Sequence, residues 1–198
     1  MIDLAQGTTC HRKESARDMI TASGTSGTAL ETARLRLEPF ALAHAGALSL
    51  MDSDPIVMRF IGDGSTKPLE ETIAAIKRVQ VRWERLGYSW WTIFEKSSGT
   101  AVGTACLQHL ENIDEKPLEI GWRLRPASQG KGYATEAGRA IIEFGFGKIG
   151  ANSLLAVANP ENVRSRKVME RLGMTFRGTE THYGQTCVVF VIERDSPT

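Results

Sequence analysis

A chain of 198 residues is the size of one domain with a tail, long enough to bury a sizeable core and carry one cleft. Lys and Arg number 24 against 23 Asp and Glu, a net charge of +1, which removes any overall electrostatic case for a nucleic-acid or membrane surface as partner. The three cysteines, Cys10, Cys106 and Cys187, are odd in number and far apart, which excludes a disulfide framework and a Cys-x-x-Cys metal site and fits a reducing cytoplasm. No apolar run approaches the roughly 18 residues of a membrane span, and Asp3 stands where a secretory leader would be basic, so the chain reads as neither secreted nor membrane-anchored.

In chain order, residues 1–30 lack sustained periodicity, and the run Thr21 to Thr28 is small and polar. They read as a flexible arm, with a short helix over Ser15 to Ile20 as the alternative. Residues 31–194 read as the folded domain and 195–198 as a tail. Arg34 to Glu38 alternates with period two and is a strand closed by Pro39. Ala41 to Met51 is a short helix, and Asp54-Pro55 opens a second one before Gly62-Asp63-Gly64. Pro68, with Glu70 and Glu71 in the first turn and Ile73, Ile76, Val79, Trp83 and Leu86 at helical spacing, begins a long helix that ends at Gly87.

Ser89 to Glu95 and Ala101 to Leu110 form a hairpin, and Leu118 to Leu124 is the next strand. A helix runs from Tyr133 to Phe146, Ser153 to Ala158 is a short apolar strand, and Pro160 starts a helix that ends at Leu172 before Gly173. Met174 to Phe176 and Cys187 to Ile192 complete the pattern as strands. The order predicts a mixed α/β sheet rather than a doubly wound one. Each of Trp83, Trp90, Trp91 and Trp122 lies in an apolar periodic element and reads as core. Trp90 and Trp91 are adjacent on one strand and must face opposite sides, and Trp91 is the one singled out as a ligand platform.

The strand Leu118 to Leu124 feeds a glycine turn and then a helix start. Gly130 and Gly132 permit φ > 0 and a close backbone approach, while the first amides of the helix lack partners and favour a phosphate. A P-loop is excluded because Gly132, not Ser or Thr, follows Lys131, and no Gly stands five residues before Gly130. A dinucleotide fingerprint is excluded because Thr135 stands where its third Gly or Ala belongs. The spacing Gln129-x-x-Gly132-x-Ala134 resembles the pyrophosphate signature of the GCN5-related N-acetyltransferases (GNAT), and Gly130 to Ala137 resembles the branch that modifies ribosomal-protein N-termini (RimJ/RimL-like). A second stretch, Asn162-x-x-Ser165-x-x-Val168-Met169-Glu170-Arg171-Leu172-Gly173, is similar to that family's Asn-x-x-Ser motif.

The resemblance covers roughly residues 31–194 and implies the GNAT acyl-CoA N-acyltransferase fold, a mixed, mostly antiparallel sheet of about seven strands flanked by helices. It implies acetyl-CoA as co-substrate, no metal, and a primary amine acceptor, including a protein N-terminus. Pyrophosphate would meet backbone at Gln129, Gly130, Lys131, Gly132, Tyr133, Ala134 and Thr135. Pantetheine would pair with backbone of Trp122 and Leu124, and Leu124 N–H would steady the oxyanion.

Asn162 and Ser165 share a helix face toward the pantetheine arm and thiol; the other readings are a helix cap and a neutral helix residue. Many relatives place a Tyr acid where Met169 stands, and a thioether has no proton to give, so Ser165 becomes the candidate partner of the leaving thiol. Glu119 occupies a position where relatives carry the base; the competing reading is a salt bridge to Arg123. His109 and Glu111 are the weaker alternatives, and His182 and Tyr183 are candidate substrate contacts. Glu136 reads as structural. Monomer and homodimer stay open, and an acyl-CoA sensor, a nucleotide-binding module, and an acetyltransferase for a polyamine, amino acid or antibiotic are the competing functions.

Overall fold

The computed structural model describes residues 27–194. Of the arm expected over residues 1–30, residues 1–26, with the alternative helix and Cys10, lie outside the described residues, as does the tail at 195–198; of the remainder, Thr28 O accepts from the Trp91 indole and Leu30 is already in the sheet. The sheet begins at β1 (Leu30–Glu31) and β2 (Leu35–Pro39), paired antiparallel at Leu30↔Leu37 and Glu31↔Arg36. β1 raises the strand count from the expected seven to eight; at two residues it is too short for alternation to reveal it.

Three helices follow. α1 (Ala45–Asp52) is preceded by a 3₁₀ turn at Leu42–His44, so the expected single helix is tighter at its start. α2 (Pro55–Met58) has Pro55 in its first turn and Asp54 as its cap, whose Oδ1 accepts the Ile56 N–H at 2.8 Å. α3 (Leu69–Leu86) buries Thr72, Ile76, Val79 and Trp83 on one stripe and stops at Gly87, which takes φ 75° and donates its N–H to the Trp83 carbonyl.

β3 (Trp90–Glu95), β4 (Ala101–His109) and β5 (Leu118–Leu124) extend the sheet antiparallel. α4 (Tyr133–Gly147) then crosses to β6 (Ser153–Ala158), which lies beside β5 in the one parallel pair among the described residues. α5 (Val163–Arg171) starts three residues later than Pro160 suggests, because Asn162 is the cap. β7 (Thr175–His182) and β8 (Gln185–Glu193) close the sheet in the order β1-β2-β3-β4-β5-β6-β8-β7.

The core joins the sheet to α1, α3 and α4, among them Met51, Ile76 and Ile141. Trp91 is 0% exposed and stands edge-on between Trp83 of α3 at 4.9 Å and Phe144 of α4 at 5.6 Å, its indole N–H donating to the Thr28 carbonyl at 2.8 Å. Trp91 is therefore core, and Trp90 is the tryptophan on the opposite, polar face, donating through Nε1 to Gln108. Gly138 of α4 is required by packing: a Cβ there would stand 2.8 Å from Leu172, so the glycine lets the end of α5 seat against α4.

Candidate active site

The alternation of hydrogen bonds along β5 determines which backbone groups face the cleft. Leu110 N–H donates to Pro117 O at 2.9 Å and Arg125 N–H to Val102 O at 3.0 Å, so odd-numbered residues of β5 bond to β4. Even-numbered residues, Trp122 and Leu124 among them, turn their N–H and C=O toward β6. There the pairing is short: β5 and β6 are in register only at Glu119↔Leu155, and neither Trp122 nor Leu124 has a β6 partner. This unpaired stretch is called the wedge, with Glu119 at its root and the free backbone of Trp122 and Leu124 along its β5 wall.

At the mouth of the wedge the chain turns through Pro126–Ser128 into Gly130 at φ 79° and Gly132 at φ 83°. Gly132 is the cap of α4 and has no side chain to meet the first amides of the helix, so the N–H groups of Tyr133, Ala134 and Thr135 are left facing out. Gln129 Nε2 donates to Leu124 O at 3.2 Å, and Gln129 Oε1 accepts from the Arg164 guanidinium, tying the end of β5 to the start of α5. Lys131 is exposed, and its carbonyl accepts from Arg34 Nη1 at 3.0 Å. Tyr133 is buried, with its hydroxyl donating to Glu95.

Glu136 is held by Thr32 Oγ1 at 2.6 Å and by the Arg34 backbone N–H at 2.8 Å and Nε at 2.7 Å. Burial pushes its carboxyl up, but these donors outweigh it and keep the group below the usual carboxylate range. It anchors the β1–β2 turn to the first turn of α4, a contact that its place at the helix start did not reveal.

On α5, Asn162 Oδ1 accepts the Ser165 N–H at 3.1 Å, which is a helix cap. Ser165 is half-buried in the first turn, and Met169, one turn on, is 1% exposed in the core.

Glu119, Gly121 and Arg123 share one face of β5 with Gln108, Cys106 and Thr104 directly opposite on β4. Glu119 and Arg123 do not pair. Arg123 Nη1 reaches Asp52 Oδ1 of α1 at 2.6 Å and Nε donates to Thr104 at 3.0 Å, while Asp52 Oδ2 accepts from Thr72 at 2.7 Å. The competing reading of Glu119 as an ion-pair partner thus falls, because a carboxylate from a distant helix claims the guanidinium.

Glu119 is 7% exposed, and its Oε2 accepts from the Tyr183 hydroxyl and from Gln108 Nε2 at 3.5 Å. Burial raises its carboxyl to about 7, against the pull of the Tyr183 and Gln108 hydrogen bonds and with a smaller push from the Glu111 charge. Glu111, by contrast, is lowered, first by Lys116 and then by the Tyr183 backbone N–H, so it is the poorer proton acceptor. His109 has both nitrogens engaged, with Lys116 O at 2.7 Å and the Tyr88 hydroxyl at 2.9 Å. Cys106 is fully buried and its thiol is pushed well up by desolvation and by Glu119, the opposite of an activated nucleophile.

Gln108 had no signal in the sequence; only the β4–β5 register places it opposite Glu119. Among the described residues no group of three or more His, Cys, Asp or Glu is placed to hold a metal, and no helix is long and apolar enough to cross a membrane.

Together these give a sheet unpaired beyond Glu119↔Leu155, a helix start whose cap has no side chain at the mouth, and a buried carboxylate at the root. The chain belongs to the GNAT acetyltransferases: the family model described as "Acetyltransferase (GNAT) domain" matches residues 34–175, and the chain is an acetyl-CoA-dependent acetyltransferase. It is 44% identical over 64 residues to the uncharacterized N-acetyltransferase YnaD of Bacillus subtilis, a match that covers 32% of this chain and 38% of that protein. It is 28% identical over 166 residues to YkkB of the same organism, covering 82% and 94%. The solved structure of a putative ribosomal-protein-serine acetyltransferase from Vibrio cholerae superposes with a TM-score of 0.71 at 21% identity, covering 86% and 100%, a likeness that carries the fold.

Proposed function

We propose that the domain moves the acetyl group of acetyl-CoA to the α-amine of a protein N-terminus, by direct attack in a ternary complex, with Glu119 as general base. The carrying observation is a buried carboxylate with a pKa of about 7 at the root of the wedge, its two bonds both on Oε2. Backbone of Trp122 and Leu124 would pair with pantetheine, Leu124 N–H would donate to the developing oxyanion, and the amides from Gly130 to Thr135 would hold the pyrophosphate. Asn162 keeps Ser165 at the start of α5, where its hydroxyl would serve the departing thiolate. The thiol, with a pKa of roughly 8.5, needs little more help.

Proton arithmetic supports an α-amine acceptor. Moving a proton from an α-ammonium of pKa about 8 to a carboxylate of pKa about 7 costs about 1.4 kcal/mol, against about 4.6 kcal/mol from a lysine-type ammonium of pKa about 10.4. An ordinary carboxylate of pKa about 4.3 would face about 5 kcal/mol even with the α-amine, so burial of Glu119 lowers that demand by more than 3 kcal/mol. The resemblance of residues 130–137 to the ribosomal N-terminal branch points the same way.

Thiol release from acetyl-CoA across N-terminal peptides, polyamines, amino acids and aminoglycosides tests the reading. Turnover is expected to be highest with free α-amino peptides and lost when their N-termini are blocked. A preference for polyamines or aminoglycosides would contradict it.

A further inference from the structure

Three non-glycine residues among those described have positive φ: Glu111 at 58°, Asn112 at 59° and Tyr183 at 53°. All three belong to two segments that meet over Glu119. L-residues in this region are strained, and such strain persists where the surroundings hold it in place. Tyr183 and Gly184 form the two-residue tip between His182↔Gln185, the position where Asn-Gly would sit without strain.

The tip is clamped from both sides. Glu111 N–H donates to the Tyr183 hydroxyl oxygen at 2.9 Å, and Tyr183 N–H donates to Glu111 Oε1 at 2.7 Å, while Lys116 pairs with Glu111 Oε2. Gln108 Nε2 adds a bond to the hydroxyl oxygen at 3.2 Å. With its acceptor sites occupied, the phenol has one proton left, and it donates that proton to Glu119 Oε2.

We propose that Tyr183 is a positioning residue for Glu119, held at the strained hairpin tip by Glu111, and that its hydroxyl stabilises the carboxylate form while leaving Oε1 to meet the incoming amine. This rests on Glu119 being the base. The phenol's own proton is held tightly, since burial and the Glu119 charge both raise its pKa. It therefore donates a hydrogen bond and does not transfer the proton. Other charged or titratable groups facing this centre are Glu111, whose anion opposes ionisation of Glu119, and Cys106 and Cys187, which their surroundings keep as thiols. Arg82 of α3 faces Tyr183 and Cys106, His182 stands 3.8 Å from Glu111, and Arg123 is already claimed by Asp52.

The test is a ¹³C NMR titration of the Glu119 carboxyl, assigned by its loss in Glu119→Gln, in wild type and Tyr183→Phe without substrate. Loss of the donor is expected to move the carboxyl midpoint up by about one pH unit, the weight of one hydrogen bond to a charged group. Tyr183→Phe keeps the ring, and circular dichroism checks that the variant folds as wild type does. An unmoved or lowered midpoint in folded Tyr183→Phe would overturn the proposal. The titration reads Glu119 whether or not it is the base, so a failure of that reading would appear separately, as a Glu119→Gln enzyme whose pH profile parallels wild type.

Discussion

A carboxyl that titrates near 7 inside the fold and near 4.5 outside it links stability to pH. Between these values the folded state binds the Glu119 proton more tightly, so this contribution is fully present below about pH 4.5 and is lost as pH rises to about 7, a change of about 3 kcal/mol. Glu119→Gln does not titrate. Urea unfolding is expected to show it gaining on wild type as pH rises from 5 to 8; equal pH dependence in the two proteins would show that the carboxyl is not raised. The Asp52–Arg123 pair behaves differently, because its side chains are 6% and 15% exposed and removal of one partner strands the other. Asp52→Ala should cost about 3–5 kcal/mol in the same measurement, and a loss below about 1 kcal/mol would place the pair in solvent.

These residues were unequally legible. Glu119 was visible as a carboxylate on the strand before the glycine turn, yet its partner was not: Arg123, two pleats along the same face, looked available until α1 delivered Asp52. The choice between Trp90 and Trp91 was likewise undecidable from alternation, which says that they face opposite sides and not which side is core.

At the scale of elements, helices with caps and acidic first turns declared themselves, α3 above all, because capping is local chemistry. β1 did not, since two residues contain no period, and β7 exposes nearly all of Thr175–His182 and offers no apolar alternation. The positive φ of Gly130 and Gly132 was legible in the turn between β5 and α4, and the contributions of its backbone and of the Lys131 side chain are separable by experiment. Gly132→Val is expected to abolish acetyl-CoA binding in calorimetry, since the position has φ 83° and a Cβ would meet Arg34 Nη2 at 3.4 Å as well as the phosphate path. Lys131→Ala should weaken binding by less than about 1 kcal/mol, because its side chain is exposed and the amides remain. A larger loss from Lys131→Ala than from Gly132→Val would move the phosphate site from backbone to side chain. Gly103 of β4 is a packing requirement of a different kind: its Cβ would stand 2.5 Å from the Arg123 carbonyl and overlap Leu124, so Gly103→Ala should destabilise by on the order of 1–3 kcal/mol and disturb the β5 wall.

For the whole molecule, the sheet order and the short pairing of β5 with β6 are long-range facts. The β5–β6 pairing rests on one residue pair, Glu119↔Leu155, that no local pattern encodes, although the two motifs that flank the wedge identified its family. Glu119 stands at the paired end of that stretch, and the proposed acetyl transfer to an α-amine requires that its carboxylate take the proton. The direct measurement is the pH profile of kcat/KM for acetyl transfer from acetyl-CoA to an α-amino peptide, in wild type and Glu119→Gln. The expected result is a deficit greatest near pH 7 that closes largely by about pH 8, where the amine supplies its own neutral form. A profile lowered by the same factor at every pH would contradict Glu119 as the base, and recovery continuing to about pH 10 with a lysine-type acceptor preferred would contradict the α-amine.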